Sequence, residues 1–317
     1  MTQPAGFPDF FVVGAPRCGT TALCRYLAHN PQICFSQPKE PHYFSRINTL
    51  PSESELKSDY IEHYFGHRGA AQRAAGEGSV SYLYGPGVIE RILHFNPAAR
   101  FIVMLRNPMS MLPSYHLKMR FMLMEEEADF AKAWGLQDLR ARGMSVPRHC
   151  PDARLLMYRE VARFGAQIER LFGVAGRDRA HVVVFDDFVG DPRATYLRVL
   201  EFLGVDDDGR TRFKRKNESQ IYRSRWLQQI LLQSAPGGGI RKSIEKRVER
   251  RKKLSERSGS KKQSWIKSLA QWNRIPAAPA PLTQEMRVVV AEALRPDIEL
   301  LSRLLQRDLG FWLARLA

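Results

Sequence analysis

Three short apolar runs set the fold of this chain: FFVVG at Phe10–Gly14, FIVML at residues 101–105 and HVVVF at residues 181–185. Each is too short for a buried helix, and each is continuously apolar instead of alternating. That pattern marks strands covered on both faces, as in a parallel sheet sandwiched between helices. Helical spacing follows or separates the runs, at residues 20–28, 88–95, from Pro108 onward, 154–172 and 193–203. Strands alternating with helices predict an α/β fold, a doubly wound parallel sheet flanked by helices. GSVSYLY, residues 78–84, reads as a further strand or as an extended segment at the site.

Past Gly204 the pattern changes. A polar stretch at 206–217, a GGG breaker at 237–239 and a Ser/Gly-rich segment lead to Pro276, Pro279 and Pro281. An amphipathic helix then spans about 283–306. The expectation is one domain over residues 1–317: a core at about 8–235, a basic helix and Pro-rich linker at 240–282, and an irregular, helical C-terminal part in which residues 283–317 pack back on the core.

Apolar residues make up 44% of the chain and aromatics 10%, enough for a sizeable core and against general disorder. The net charge of +16, from 49 Lys and Arg against 33 Asp and Glu, favours an anionic partner without choosing among them. Much of the excess lies at residues 241–262, RKSIEKRVERRKKLSERSGSKK, read as a surface helix that recruits an acidic acceptor or acidic membrane lipids, or as a solvated face with no specific task. The N-terminal sequence has no basic-then-apolar leader and no run approaches a bilayer span, so the expected location is cytoplasmic. Cys18, Cys24, Cys34 and Cys150 show no metal-like spacing and are expected as free thiols.

The strongest local signal is GAPRCGTT, residues 14–21, between an expected strand and an expected helix. Backbone N–H groups of such a loop, with the helix dipole behind them, form a phosphate cradle from Cys18, Gly19, Thr20 and Thr21. The G-x-x-x-x-G spacing is that of a nucleotide P-loop, but Thr20 and Thr21 stand where an NTPase has Lys and Ser or Thr. The cation comes earlier, at Arg17. A cysteine phosphatase is excluded by spacing, since Cys18 to Arg25 is one residue too long and Cys24 occupies the arginine position.

Three segments in order resemble the superfamily of sulfotransferases that use 3′-phosphoadenosine 5′-phosphosulfate (PAPS). FFVVGAPRCGTTAL is similar to its 5′-phosphosulfate loop. RFIVMLRNPMSMLPSYH is similar to its 3′-phosphate motif, an Arg closing a strand and a Ser on the next helix, here Arg106 and Ser114. QPKEPHYF, residues 37–44, resembles the K-E-P-H-F-F segment of the heparan sulfate branch and its bacterial relatives. The likeness spans about residues 8–203, with a weaker continuation at RDLGFW, 307–312. It implies a P-loop-like fold, PAPS as donor with 3′,5′-ADP as product, and no metal. Two anion sites on neighbouring strands of a parallel sheet suit such a donor, because open α/β sheets bind ligands at their carboxyl edge.

The resemblance also implies roles. Arg17 neutralises charge on the leaving oxygen in an in-line displacement, where many relatives have Lys. Glu40 is the first choice of general base and His42 the second, while Lys39 orients an anionic acceptor. Glu77 is a secondary acceptor-side candidate, in a segment where Gly78 replaces the usual Lys. Lys216, Asn217 and Arg223 lie where the family closes a loop over the nucleotide. Asp186 follows a strand as a magnesium ligand would, but without the P-loop Lys it reads as structural. The acceptor is a hydroxyl or amine on an acidic glycan, a lipid or a small natural product. Two rivals stand beside this reading: a P-loop nucleotide kinase or NTPase, and a non-catalytic polyanion-binding protein. No base-stacking aromatics interleave the basic stretch, so nucleic acid is not an expected partner.

Overall fold

The structure is a computed structural model, and it describes residues 4–213, 219–234 and 268–313. The described chain divides into two compact units. The first comprises Met1–Leu112, Arg159–Asn217 and Leu282–Ala317; the second comprises Pro113–Tyr158 and Glu218–Pro281.

The first unit is built on five parallel strands: β1 (Phe10–Gly14), β2 (Ile33–Phe35), β3 (Ala74–Gly78), β4 (Arg100–Leu105) and β5 (Ala180–Val184), in the order β2-β3-β1-β4-β5. β1 pairs β3 on one side, Phe10 opposite Gly76, and β4 on the other, Phe11 opposite Phe101. Between the strands run α1 (Thr20–Leu27), α2 (Val88–Phe95), α3 (Pro108–Phe121), which crosses into the second unit at Pro113, and α4 (Phe164–Ala175), and after β5 come α5 (Phe185–Gly190) and α6 (Pro192–Leu203). The chain leaves β1 toward β2 and later leaves β3 in the opposite direction toward β4. With right-handed crossovers this puts helices on both faces of the sheet. Loops after β1 and β4 then diverge, opening a crevice at the carboxyl edge between adjacent strands.

The three apolar runs form the strands they predict, with β5 ending one residue early because Phe185 opens α5. Two strands were not anticipated. β3 has the sequence AAGEG, with no β-branched residue, and residues 79–84 after it form turns instead of a strand. Its register is set by packing: a side chain at Gly76 would lie 2.0 Å from the Phe10 ring. The expected helix at 154–172 is broken into a short turn at Ala153–Leu156, one at Tyr158–Ala162, and α4.

The C-terminal helix α7 of the first unit (Gln284–Leu305) starts at Thr283, whose side chain accepts from Met286 N–H, and ends at Gln306. It packs on α4. Buried Asp297 accepts Gly165 N–H at 2.7 Å and Ala166 N–H at 2.9 Å, so an α7 carboxylate completes the N-terminal turn of α4. Beyond it Arg307 pairs with Asp187 at 2.5 and 2.9 Å, and Leu309 and Trp312 of RDLGFW are buried. The ion pair uses the neighbour of Asp186.

In the second unit, β6 (Gln220–Tyr222) pairs antiparallel with β7 (Arg274–Pro276) next to helix α8 (Arg225–Ser234). Its interior holds an ion pair between Glu125 and Arg140 at 2.8 Å, with Tyr158 donating to the same carboxylate at 2.7 Å.

Asp297→Ala should leave one buried and one half-buried N–H group unmet and cost roughly 1–3 kcal/mol. Urea denaturation of the variant against the parent checks this.

Candidate functional site

The loop from β1 to α1 is held by short contacts to its neighbours. Ala15 N–H donates to the Met104 carbonyl of β4 at 2.6 Å, and Leu83 N–H donates to the Val13 carbonyl at 2.9 Å. Cys18 is fully buried, and its thiol donates to the Pro16 carbonyl at 3.3 Å. Burial pushes the thiol up to about 12, against the lowering effect of Arg106 and Arg17. Cys18 is therefore a neutral, buried thiol, and only its main chain can serve a ligand.

Gly19 caps α1 with φ of 88°, a conformation that favours glycine, and has no side chain with which to cap the helix. The first-turn amides of Thr20 and Thr21 are thereby left for an anion. Thr20 is buried and Thr21 exposed.

Arg17 also has a left-handed backbone, with φ of 63°. Burial, and then repulsion by Arg106, push its pKa down. Arg106 follows β4 directly. Its Nη1 donates to the Arg17 carbonyl at 3.4 Å, its Nε donates to Ser110 Oγ at 3.0 Å, and its guanidinium lies 4.7 Å from the centre of the Phe185 ring. Two cations from adjacent strands thus share one crevice, and an anion between them would relieve their repulsion. Ser110 and Phe185 escaped the sequence reading. Ser110 stands four residues past Arg106 at the start of a helix, a spacing that could have disclosed it, whereas Phe185 opens a helix after a different strand and has no local signal.

Residues 39–42 lie beyond the ends of β2 and β3. Phe44 anchors them in an aromatic cluster with Phe7, Phe11, Tyr60 and Tyr82, and its N–H donates to Tyr82 Oη at 3.2 Å. Glu40 N–H donates to the Gly78 carbonyl at 3.0 Å and His42 N–H to Ser79 Oγ at 2.9 Å. Both residues are left-handed, with φ of 65° and 52°, at roughly 1–3 kcal/mol each. The cost is met by these bonds and by the Phe44 anchor.

The side chains form a relay of contacts. Lys39 Nζ donates to Glu40 Oε1 at 2.5 Å, and His42 Nε2 stands 3.7 Å from Glu40 Oε2. His42 Nδ1 meets Ser81 Oγ at 2.7 Å, and Ser81 meets Ser45 at 2.7 Å. Burial alone would raise the Glu40 carboxyl, but His42 and Lys39 overcome it and bring the pKa down to about 2. Lys39 is correspondingly raised: burial opposes its charge, and Cys24 and Glu40 favour it.

Glu77 is placed differently from the expectation of acceptor contact. It is fully buried within β3, accepts from Ser79 Oγ at 2.5 Å and from Tyr60 Oη, and its pKa is raised by burial. Through Ser79 it supports the His42 main chain. Gly78 has no room for the Lys of the family pattern, because a Cβ there would lie 2.6 Å from Cys24 Sγ. Lys39 and Glu40 both act electrostatically on that same thiol, which places the 39–42 segment close to α1.

Four further candidates fall in the second unit or outside the described residues. Ser114 is in the second unit, where its hydroxyl lies 3.5 Å from that of Ser219. Arg223 is there too, its Nε donating to the Trp272 carbonyl at 2.8 Å. Lys216 and Asn217 lie outside the described residues, as does the basic stretch 241–262.

Known sulfotransferases resemble this chain in sequence and in fold. Carbohydrate sulfotransferase 15 of Homo sapiens is 29% identical over 150 residues, covering 35% of this chain and 27% of that protein. The membrane-associated sulfotransferase kil1 of Dictyostelium discoideum is 29% identical over 116 residues, covering 36% and 24%. The alignments therefore span about a quarter of these relatives' length. A membrane-associated relative of this kind overturns the cytoplasmic location expected from the sequence, although among the described residues no helix is long and apolar enough to cross a membrane. A solved sulfotransferase from Alicyclobacillus acidocaldarius superposes with a TM-score of 0.64 at 25% identity, covering 96% of this chain and 98% of that one. The model of the sulfotransferase family matches residues 40–209, more than half of the chain, and the chain belongs to that family.

Proposed function

We propose that the chain transfers a sulfuryl group from PAPS to a hydroxyl or amine of a carbohydrate acceptor. The observation that carries this reading is the pairing of Arg17 and Arg106 across the crevice between β1 and β4, within a hydrogen bond of each other's loops. A single nucleotide bearing two separate anionic groups suits two such cations; an NTPase would need a P-loop Lys where Thr20 stands. The first-turn amides, Thr20 and Thr21 would hold the 5′-phosphosulfate, and Arg106, fixed by Ser110 and Phe185, would hold the 3′-phosphate. PAPS supplies an activated sulfuryl group with a stable nucleotide as leaving group. Arg17 neutralises charge on the leaving oxygen and, as a guanidinium, keeps its proton while doing so.

Glu40 takes the proton of the acceptor. In the resting arrangement its pKa of about 2 makes it a weak base, since a base works best near the ambient pH. An acceptor hydroxyl seated at Oε1 displaces Lys39 and removes one of the two influences that hold the carboxylate down. Burial, the largest single influence and an upward one, then counts for more. His42 steadies the other oxygen, with Ser81 fixing its ring from Nδ1. A carbohydrate acceptor is supported by the likeness to a carbohydrate sulfotransferase, and Lys39 suits an acidic one.

Thermal denaturation with 3′,5′-ADP at about a hundredfold excess over Kd should show a stabilisation of ~2.7 kcal/mol, and ATP with magnesium should show far less. Arg106→Ala should abolish the shift, and Glu40→Gln should preserve it while stopping transfer. Equal shifts with both nucleotides would refute the donor assignment.

Glu40 also predicts a pH dependence. Its folded pKa lies below the ordinary 4.5, so its ion pairs stabilise the fold above that pH and lose their contribution as pH falls toward about 2. Melting temperatures of the parent and Glu40→Gln should differ most above pH 4.5 and converge toward pH 2.

A further inference from the structure

Ser79, the first residue after β3, is buried, and its main chain is tied to the central strand. Ser79 N–H donates to the Val12 carbonyl at 3.1 Å, and four residues on Leu83 N–H donates to that of Val13. The turn after β3 is therefore fastened to β1 at both ends.

A serine hydroxyl has one proton, and here that proton is committed. Ser79 Oγ donates to Glu77 Oε1 at 2.5 Å, while Tyr60 Oη donates to Glu77 Oε2. With its proton turned toward Glu77, Ser79 Oγ can only accept on its other side, and there it accepts His42 N–H at 2.9 Å. Glu77 thus imposes the direction of this bond from within the sheet. Two residues further along the same turn, Ser81 Oγ meets His42 Nδ1 at 2.7 Å. One turn holds His42 by its main chain and by its ring, and the far ring nitrogen, Nε2, stands 3.7 Å from Glu40 Oε2.

The grip matters because His42 has φ of 52°, a conformation that costs a residue other than glycine roughly 1–3 kcal/mol. Leaving its N–H without an acceptor would cost a similar amount, roughly 1–3 kcal/mol, so the bond to Ser79 is large enough to decide the conformation. Once the acceptor is gone, the backbone at residue 42 relaxes toward an ordinary conformation and carries the ring away from Glu40.

We propose that Ser79 is a positioning residue for the transfer reaction: held as an acceptor by Glu77, it fixes the left-handed backbone of His42 and so sets the His42 ring against Glu40. The proposal rests on the reading of Glu40 as the base. With radiolabelled PAPS and a mixture of desulfated glycosaminoglycans as acceptor, Ser79→Ala should lower kcat about tenfold to a hundredfold, the scale of a misplaced group, with KM for PAPS unchanged. Its stabilisation by 3′,5′-ADP should equal the parent's, since the anion cradle is untouched. NMR titration should show the Glu40 carboxyl of Ser79→Ala moved upward from about 2, because His42 no longer holds it down. Tyr60→Phe removes the donor on the other Glu77 oxygen and is the control for a purely structural loss. It should lower the melting temperature while leaving kcat within about twofold and the Glu40 titration in place. In the parent, the His42 amide should exchange slowly with solvent deuterium. An unchanged kcat or an unchanged Glu40 titration in Ser79→Ala, an equal fall of kcat in Tyr60→Phe, or fast exchange of the parent's His42 amide would each overturn the proposal. A parent that transfers nothing overturns the functional reading beneath it, and the Glu40 titration then decides by itself whether Ser79 sets His42 against Glu40.

Discussion

Everything at the carboxyl edge of the sheet depends on β1 lying between β3 and β4 with no side chain in the way. The Phe10 ring fills the space above Gly76, and β3 can approach only because it is built of Ala and Gly at its contact points. β4, on the other side, is a run of large apolar residues and stacks Phe101 against Phe11. The asymmetry delivers two kinds of loop to the central strand. On the β4 side the Met104 carbonyl receives the Ala15 N–H, and on the β3 side the Gly78 carbonyl receives the Glu40 N–H. One strand therefore positions both the anion cradle and the carboxylate segment.

Electrostatically the two halves of this edge are opposites. The crevice side concentrates cations that repel each other, with Arg106 held by a ring face and a hydroxyl instead of by a carboxylate among the bonds described for it. The β3 side is neutralised internally, Lys39 and His42 against Glu40, and below them Glu77 satisfied by hydroxyl donors. Such a division suits a reaction in which a polyanion sits on one side and a proton must leave on the other.

Much of this was legible in the sequence because it is local. FFVVG, FIVML and HVVVF announced three strands, Thr283 and Gln306 bounded the last helix of the first unit, and the GAPRCGTT loop fell between a strand and a helix as its composition required. What stayed hidden is set by distant partners. AAGEG reads as a breaker until the Phe10 ring is placed against it, and Phe185 acquires a role only when β5 delivers it to Arg106. Glu77 was a secondary acceptor-side candidate because its segment resembles a family motif; its burial among Tyr60, Ser79 and Tyr82 was not encoded in that spacing.

The cap that Asp297 provides to α4 has a consequence for the order in which the chain can become a protein. The first unit is assembled from three separated segments, and its closing contact spans 132 residues of sequence. Every residue of the second unit is made before the segment that carries Asp297. During synthesis α4 must wait unsealed, with apolar surface open, while the second unit's later segment, Glu218–Pro281, emerges. Completion of the first unit is thus a late and non-local event, and a chaperone's opportunity lies in that interval.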